Sequence, residues 1–401
     1  MNKVVYLIEQ PLSIWNYNRF GIQNWLDRGW NIEVWDLTQF LNPVIFETFK
    51  NNNVEIKKFD GYIPISSESI LKQQCSAVNK PTYYVDCISN DSPHARIKKY
   101  LAQIGVTRIM SYLGFMPPLY LGGGASDKLS SRIIRFGLLI KSGPVNAIKW
   151  IINRVQMKFV SSLFKPGIIV VSGEKSIPKN TGSAEIIAAH NLDYDLFLNL
   201  KDTDDIVTQE YAVFIDQNIN FHSDWILSEE ISATTPDKYF PAVTQVLKII
   251  STELHVSLFI AGHPRSSNRK ITQEYFGRIP VRYGATAEQI KSCKFVVGHN
   301  STSLQLAILF NKPVIFLTTN ELKLNNIGAH ISVMASMFGK KEINIDNDLS
   351  DMDWQKELFV DEAKYSEYRK KYIKMDGSPE KRSWDIVIDH IEEAMTRKKF
   401  L

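Results

Sequence analysis

Short runs rich in β-branched and aromatic residues alternate along this chain with helix-length stretches, and that alternation limits the fold more than any other feature. Strand-like runs fall at 3–9, 31–37, 54–59, 82–88, 107–112 and 167–172, with helical patterns at 18–28, 44–51 and 93–104 among them. Strands separated by helices pair in parallel, so the first half reads as one open α/β sheet. The period lapses between Asn199 and Gln209, where Lys201-Asp-Thr-Asp-Asp205 carries no apolar rhythm, and it restarts at Tyr211-Ala-Val-Phe-Ile-Asp216. This predicts a domain boundary there, giving 1–205 and 206–401. The 401 residues are enough for two packed cores.

The second half repeats the scheme. Strands are predicted at 211–216, 257–262, 280–283, 294–298 and 313–318, and helices at 236–254, 271–276, 286–292 and 302–310. Further helices are expected near 331–338 and 361–374, and a last amphipathic one at 382–397, beyond Pro379. The expected fold class is α/β, with two Rossmann-like domains facing a central cleft and a C-terminal helix after the second. Such sheets bind ligands outside the carboxyl ends of their strands, so functional side chains are expected just after strands.

Composition excludes several classes. Lys plus Arg is 47 against 43 Asp plus Glu, a formal charge of +4, too slight for a dedicated nucleic-acid binder of this length. Cys75, Cys87 and Cys293 match neither a zinc site nor a disulfide framework, which indicates a reducing compartment. Val4-Val5-Tyr6-Leu7-Ile8 has no cleavage site behind it and reads as a first strand rather than a signal peptide. With no long apolar window to span a membrane, a cytoplasmic protein is expected. Neither GxGxxG nor GxxxxGK[ST] occurs, which argues against a dinucleotide cofactor and a P-loop.

Three strand ends in the second half carry polar groups suited to chemistry. The strand at 257–262 ends in His263-Pro264-Arg265-Ser266-Ser267. There an imidazole and a guanidinium can donate to a phosphate or carboxylate, or His263 can cap the strand. The strand at 294–298 ends in His299-Asn300-Ser301-Thr302-Ser303 and passes into an apolar helix. One Ser would suffice as an N-cap; three consecutive hydroxyl residues favour phosphate contact. The strand at 211–216 ends in Asp216-Gln217-Asn218, where the carboxylate can act as general base toward a hydroxyl or serve as a capping or hinge residue. Glu321 is placed to reach a ribose hydroxyl or to be a plain surface acid.

This layout resembles the GT-B glycosyltransferase fold. Asp216, then His263-Pro264, then Ser301-Thr302-Ser303 resembles the acidic, HP and Ser/Thr motifs of bacterial sialyltransferases and Kdo (3-deoxy-octulosonic acid) transferases. The resemblance implies an acidic sugar moved from a CMP-activated donor to a surface glycan, with Asp216 and His263 catalytic. It also implies a donor held by His263, Pro264, Arg265, His299, Asn300, Ser301, Thr302, Ser303 and Glu321. Gln217-Asn218 departs from the acidic pair usual in sialyltransferases. CDP-glycerol polyol-phosphate transferases share the HP turn, and His299-Asn300-Ser301-Thr302 stands where they carry Asp-Tyr-Ser-Ser. The same residues are compatible with a GT-B enzyme using UDP- or GDP-sugars, or with a catalytically silent subunit of a glycan assembly complex. Neither a metal nor a further cofactor is expected, because Asp193-Tyr194-Asp195 precedes the second domain and reads as a turn rather than a metal-binding DxD, and the leaving phosphate can be stabilised by fixed donors.

The N-terminal domain of GT-B enzymes generally takes the acceptor, which implies Glu9, Gln10, Glu174, Lys175 and His190 as acceptor contacts. Ser172-Gly173-Glu174-Lys175 and His190-Asn-Leu-Asp193-Tyr194-Asp195 also resemble segments of bacterial surface-carbohydrate biosynthesis proteins. His190, Asp193 and Asp195 could instead pin the hinge. Residues 128–165 hold eight cations and no acid in 38 residues, so the other 363 residues sum to −4. On a helix, Ile148, Ile151, Ile152, Val155 and Phe159 form one stripe, while Trp150 and Met157 fall among the cations. A solvated face normally mixes signs, so this segment is expected at an anionic membrane surface, on the cytoplasmic face of the inner membrane, where a lipid-linked acceptor would be met.

Overall fold

The computed structural model describes residues 2–51, 55–78, 82–88, 92–117, 152, 155, 164–203, 210–221, 232–264, 266 and 269–399. The apolar runs form two sheets whose paired strands are parallel. In the first, β1 (Lys3–Ile8), β2 (Asn31–Asp36), β3 (Tyr62–Pro64), β4 (Thr82–Cys87), β5 (Thr107–Tyr112), β6 (Ile168–Val171) and β7 (Glu185–Ala188) lie in the order β3-β2-β1-β4-β5-β6-β7. The second sheet is built from β8 (Tyr211–Ile215), β9 (Ser257–Ala261), β10 (Val281–Arg282), β11 (Phe295–Gly298), β12 (Val314–Thr318) and β13 (Ile343–Asn344). Its order is β10-β9-β8-β11-β12-β13.

Both orders reverse once. The first sheet grows outward from β1 through β2, then jumps back to β4; the second grows from β8 through β9, then jumps back to β11. Strands buried on both faces read as unbroken apolar runs, as Val4 to Ile8 and Phe295 to Val297 do. Helix Pro236–Glu253 turns Tyr239, Phe240, Val243, Val246, Leu247 and Ile250 inward, a three- and four-residue spacing that gives one buried stripe. Each such side chain contributes roughly 1.5–3 kcal/mol by leaving water.

Several elements differ from the sequence reading. The third strand is Tyr62–Pro64 rather than 54–59: Val34 N donates to the Gly61 carbonyl and the Tyr62 hydroxyl donates to Asp36, which fixes that later run against β2. The helix expected at 18–28 is two helices, Ile14–Arg19 and Ile22–Asp27, parted at Gly21, whose φ of +60° breaks the spiral. β7 and β13 are edge strands of four and two residues, too short for alternation to show.

The chain divides into two compact units. One contains the chain up to Tyr112, with the segments that end at Val170 and Ile187; the other takes Leu113–Leu119, Val171–Ile177 and everything from Ala188. The division near 187 rather than 205 has a cause within the second unit. Asn191 N donates to the Ile373 carbonyl, and His190 Nε2 donates to the Lys381 carbonyl at 2.6 Å, so 188–200 is tied to the C-terminal segment. The final helix, Ser383–Lys399, starts at that tie.

Candidate donor site at the switch point of the second sheet

The carboxyl ends of β8 and β11 are adjacent where the second sheet reverses, which is where an open α/β sheet leaves a crevice. Asp216 follows β8. Its Oδ1 accepts the Asn218 N–H at 2.9 Å, and Asn218 takes φ +52°, so the chain turns sharply around the carboxylate. Oδ2 is buried with no hydrogen-bond partner among the described residues. Desolvation pushes the Asp216 pKa up to about 6, against the opposing pull of the Asn218 and His263 backbone amides.

Gln217 reaches across the reversal to the turn after β11. Its Oε1 accepts the Asn300 N–H at 3.0 Å and its Nε2 donates to Asn300 Oδ1 at 3.1 Å. Ser301, Thr302 and Ser303 are half-buried beyond that clasp. Ser301 Oγ accepts the Ser303 N–H at 3.2 Å, and the amides of Leu304, Gln305 and Leu306 donate to the carbonyls of Ser301, Thr302 and Ser303. Helix Leu304–Leu309 is only six residues long, so its dipole is small, and any anion contact here rests on side-chain hydroxyls rather than on free first-turn amides.

β9 leads into Gly262 and His263. A Cβ on Gly262 would come within 2.4 Å of the Tyr283 ring, so only glycine lets that aromatic close over the strand end. His263 is half-buried and Pro264 exposed, and the His263 carbonyl accepts from Ser266 N at 3.0 Å. Arg265 lies outside the described residues. The topology therefore brings the ends of β8, β9 and β11 together in neighbouring positions, with Asp216, His263 and the Ser301 to Ser303 turn on them.

Other predicted contacts occupy different environments. His299 is wholly buried: Nδ1 donates to the Leu317 carbonyl at 2.7 Å, which leaves Nε2 to accept from the Tyr239 hydroxyl at 2.8 Å. Burial lowers its pKa to about 4. It anchors the turn instead of meeting a ligand. Glu321 accepts the Thr235 N–H at 2.7 Å and hydroxyl at 3.0 Å and faces Lys238 Nζ at 3.3 Å, so both oxygens serve the start of helix Pro236–Glu253. Those bonds, the Thr235 N–H foremost, hold its pKa below the usual range, and a ribose contact is replaced by a capping role.

His190 is also wholly buried. Its Nδ1 faces the Ser383 hydroxyl at 3.0 Å, and Asp195 Oδ1 accepts the Ser383 N–H at 2.8 Å. A serine, a histidine and an aspartate thus meet as in a hydrolase triad, but Ser383 and His190 are both sealed from solvent and instead secure the final helix. The His190 ring therefore ties the segment around it to the C-terminal segment of the same unit rather than facing an acceptor. Glu174 and Lys175 are exposed on a short turn belonging to the second unit. Gly173 before them packs against Lys371, whose carbonyl oxygen a Cβ would meet at 2.3 Å.

In the first unit, Glu9 and Gln10 follow β1 at the reversal of the first sheet and are half-buried. Near them is a cluster that the sequence did not reveal. Asp86 Oδ2 accepts from Arg108 Nε at 2.8 Å and Lys98 Nζ at 3.1 Å, all three side chains being buried. Desolvation lowers the Lys98 pKa, with the Asp86 charge opposing it. Lys98 sits on a polar helix, Ser92–Gln103, whose pattern gives no sign of a buried cation. Among the described residues no group of three His, Cys, Asp or Glu side chains is arranged to hold a metal ion.

No family model matches the chain, and no curated protein matches it. Solved structures are similar over nearly its whole length at low identity. MurG from Acinetobacter baumannii is 8% identical at a TM-score of 0.47, covering 98% of this chain and 100% of that one. A UDP-GlcNAc 2-epimerase from Methanocaldococcus jannaschii is 13% identical at 0.46, with 98% and 100% covered. CalG4, a calicheamicin glycosyltransferase, is 10% identical at 0.47, with 92% of each chain covered. Likeness at this level carries no argument for activity. The two parallel sheets, each reversing once, and the helix Ser383–Lys399 themselves define a chain with two Rossmann-like α/β units.

Proposed function

We propose that this protein is a glycosyltransferase that uses a nucleotide-sugar donor. The observation that carries the reading is the polar crown at the reversal of the second sheet: Asp216 after β8, His263 after β9, and Asn300 to Ser303 after β11. His263 and the hydroxyls of Ser301, Thr302 and Ser303 receive the donor phosphate and stabilise the charge that develops as it leaves. Arg265 joins them on the strength of its sequence position. Asp216 accepts the acceptor hydroxyl's proton. A carboxylate held near pKa 6 is ionised at neutral pH and still basic enough for that task.

Fixed hydroxyl and imidazole donors make the proposed reaction independent of a metal and of any further cofactor. Sugars carried on uridine or guanosine diphosphate are preferred, because Gln217-Asn218 departs from the acidic pair usual in the sialyltransferases that this chain resembles. A CMP-linked acidic sugar such as Kdo or sialic acid, supported by the order of the three motifs, is the second reading, and CDP-glycerol follows it. The acceptor reading retains Glu9 and Gln10 of the first unit and the exposed Glu174 and Lys175.

Residues 128–165 fall almost wholly outside the described residues. Their eight cations support docking on an anionic membrane, at the cytoplasmic face, to reach a lipid-linked acceptor. Of that segment's apolar stripe, Ile152 and Val155 are among the described residues, and both are exposed. No described helix is long and apolar enough to cross a membrane.

The test is nucleotide release from UDP-, GDP- and CMP-sugars and CDP-glycerol, in EDTA, with anionic vesicles present or absent. Turnover of a UDP- or GDP-sugar, lost in His263→Ala, is the expected result. Turnover confined to CMP-sugars moves the assignment to the second reading, and tight binding without turnover identifies a silent subunit. Failure of every nucleotide to bind refutes the proposal.

A further inference from the structure

We infer that Gln217 is a positioning residue that sets the donor-phosphate turn against the strand end bearing Asp216. The inference rests on the reading above. Two loops leave the sheet at its reversal, and a crevice there is useful only if their spacing is fixed. The Asn300 to Ser303 turn is fixed from behind by the His299 ring, pinned between the Leu317 carbonyl and the Tyr239 hydroxyl. It is also held by the Gln217 carboxamide, which uses both its acceptor and its donor on the one residue Asn300.

The chemistry favours a carboxamide at this place. A carboxylate could accept the Asn300 N–H but would set a negative charge beside the phosphate. A shorter amide would lose the reach. Asp216 and Gln217 are consecutive just past β8, so one strand end supplies a buried carboxylate and a half-buried clasp. The clasp therefore sets phosphate position without entering the proton transfer. Its loss is expected to appear in donor binding and not in the ionisation that governs turnover.

The experiment compares the full-length protein with Gln217→Ala, Asn300→Ala and the double variant, measuring affinity for the nucleoside diphosphate of the working donor, kcat and KM separately, and amide exchange across 299–303. Gln217→Ala loses both hydrogen bonds, which predicts about a tenfold weaker nucleotide affinity and higher donor KM, whereas Asn300→Ala keeps its backbone N–H on Gln217 Oε1 and loses one bond of the clasp. The acid limb of the pH–kcat profile is expected to stay in place, and exchange at Asn300 to quicken. As far as the clasp is concerned, Asn300→Ala adds nothing once Gln217→Ala has removed both bonds, so the double variant is expected to lose less than the sum of the two single losses. Gln217→Glu is expected to bind nucleotide more weakly still. Unchanged nucleotide affinity in Gln217→Ala, or fully additive losses, would overturn the inference while leaving the donor site standing. A wild-type protein that binds no nucleotide removes both.

Discussion

Replacing Asp216 by Asn separates the cost of its buried charge from its use. In the folded protein the group titrates at about 6, against 3.8 for an unperturbed aspartate, because burial disfavours the ionised form. A raised carboxyl pKa means the native state holds the proton more tightly than the unfolded chain. The associated stability is fully present below the unfolded value and is lost as pH rises through about 6. Integrating that difference gives about 2 kcal/mol between pH 4.5 and pH 7. Asn keeps an oxygen for the Asn218 N–H but places an amide where Oδ2 has no partner, a pH-independent cost of roughly 1–3 kcal/mol.

Urea unfolding of both proteins from pH 4.5 to 7.5 is the assay. Asp216→Asn is expected to compare least favourably with wild type at pH 4.5 and to gain on it by about 2 kcal/mol by pH 7. A stability difference that stays flat across this window refutes the shifted titration. Transfer activity is expected to fall by at least about a hundredfold at every pH, the contribution typical of a general base. A variant that keeps ordinary turnover removes Asp216 from that role, whatever its stability.

Two further substitutions probe the surroundings. Gly262→Ala pushes a methyl into the Tyr283 ring and is expected to cost about 1–3 kcal/mol in chemical denaturation; a neutral result would mean that the ring moves freely. Glu321→Ala is expected to cost about 1 kcal/mol through the lost helix cap while leaving donor KM unchanged, and a rise in KM would restore Glu321 to the donor site.

The strand ends were legible in the sequence because burial on both faces of a parallel sheet demands continuous apolar runs, and the first polar residue marks where the sheet stops. Asp216, His263 and His299 were found in that way. Whether such a residue faces a ligand or the interior was not legible. His299 and His263 each follow an apolar strand, yet one ring is sealed between Tyr239 and Leu317 while the other is half-buried at the crown. The difference lies in Tyr239, sixty positions earlier on another element. Glu321 and His190 were displaced for the same reason, their partners being Thr235 and Ser383.

The sequence by itself determined two α/β units, the positions of most strands, a concentrated cationic segment and the short polar turns after β8, β9 and β11, because these follow from local period, charge and turn chemistry. Only the tertiary structure decided the strand order, and with it the reversal that makes β8 and β11 neighbours although about eighty residues separate them. That adjacency joins Gln217 to Asn300, and the packing around it leaves one Asp216 oxygen buried without a partner among the described residues. Both are consequences of which groups exclude water from which, and that is set by contacts between residues far apart in the chain.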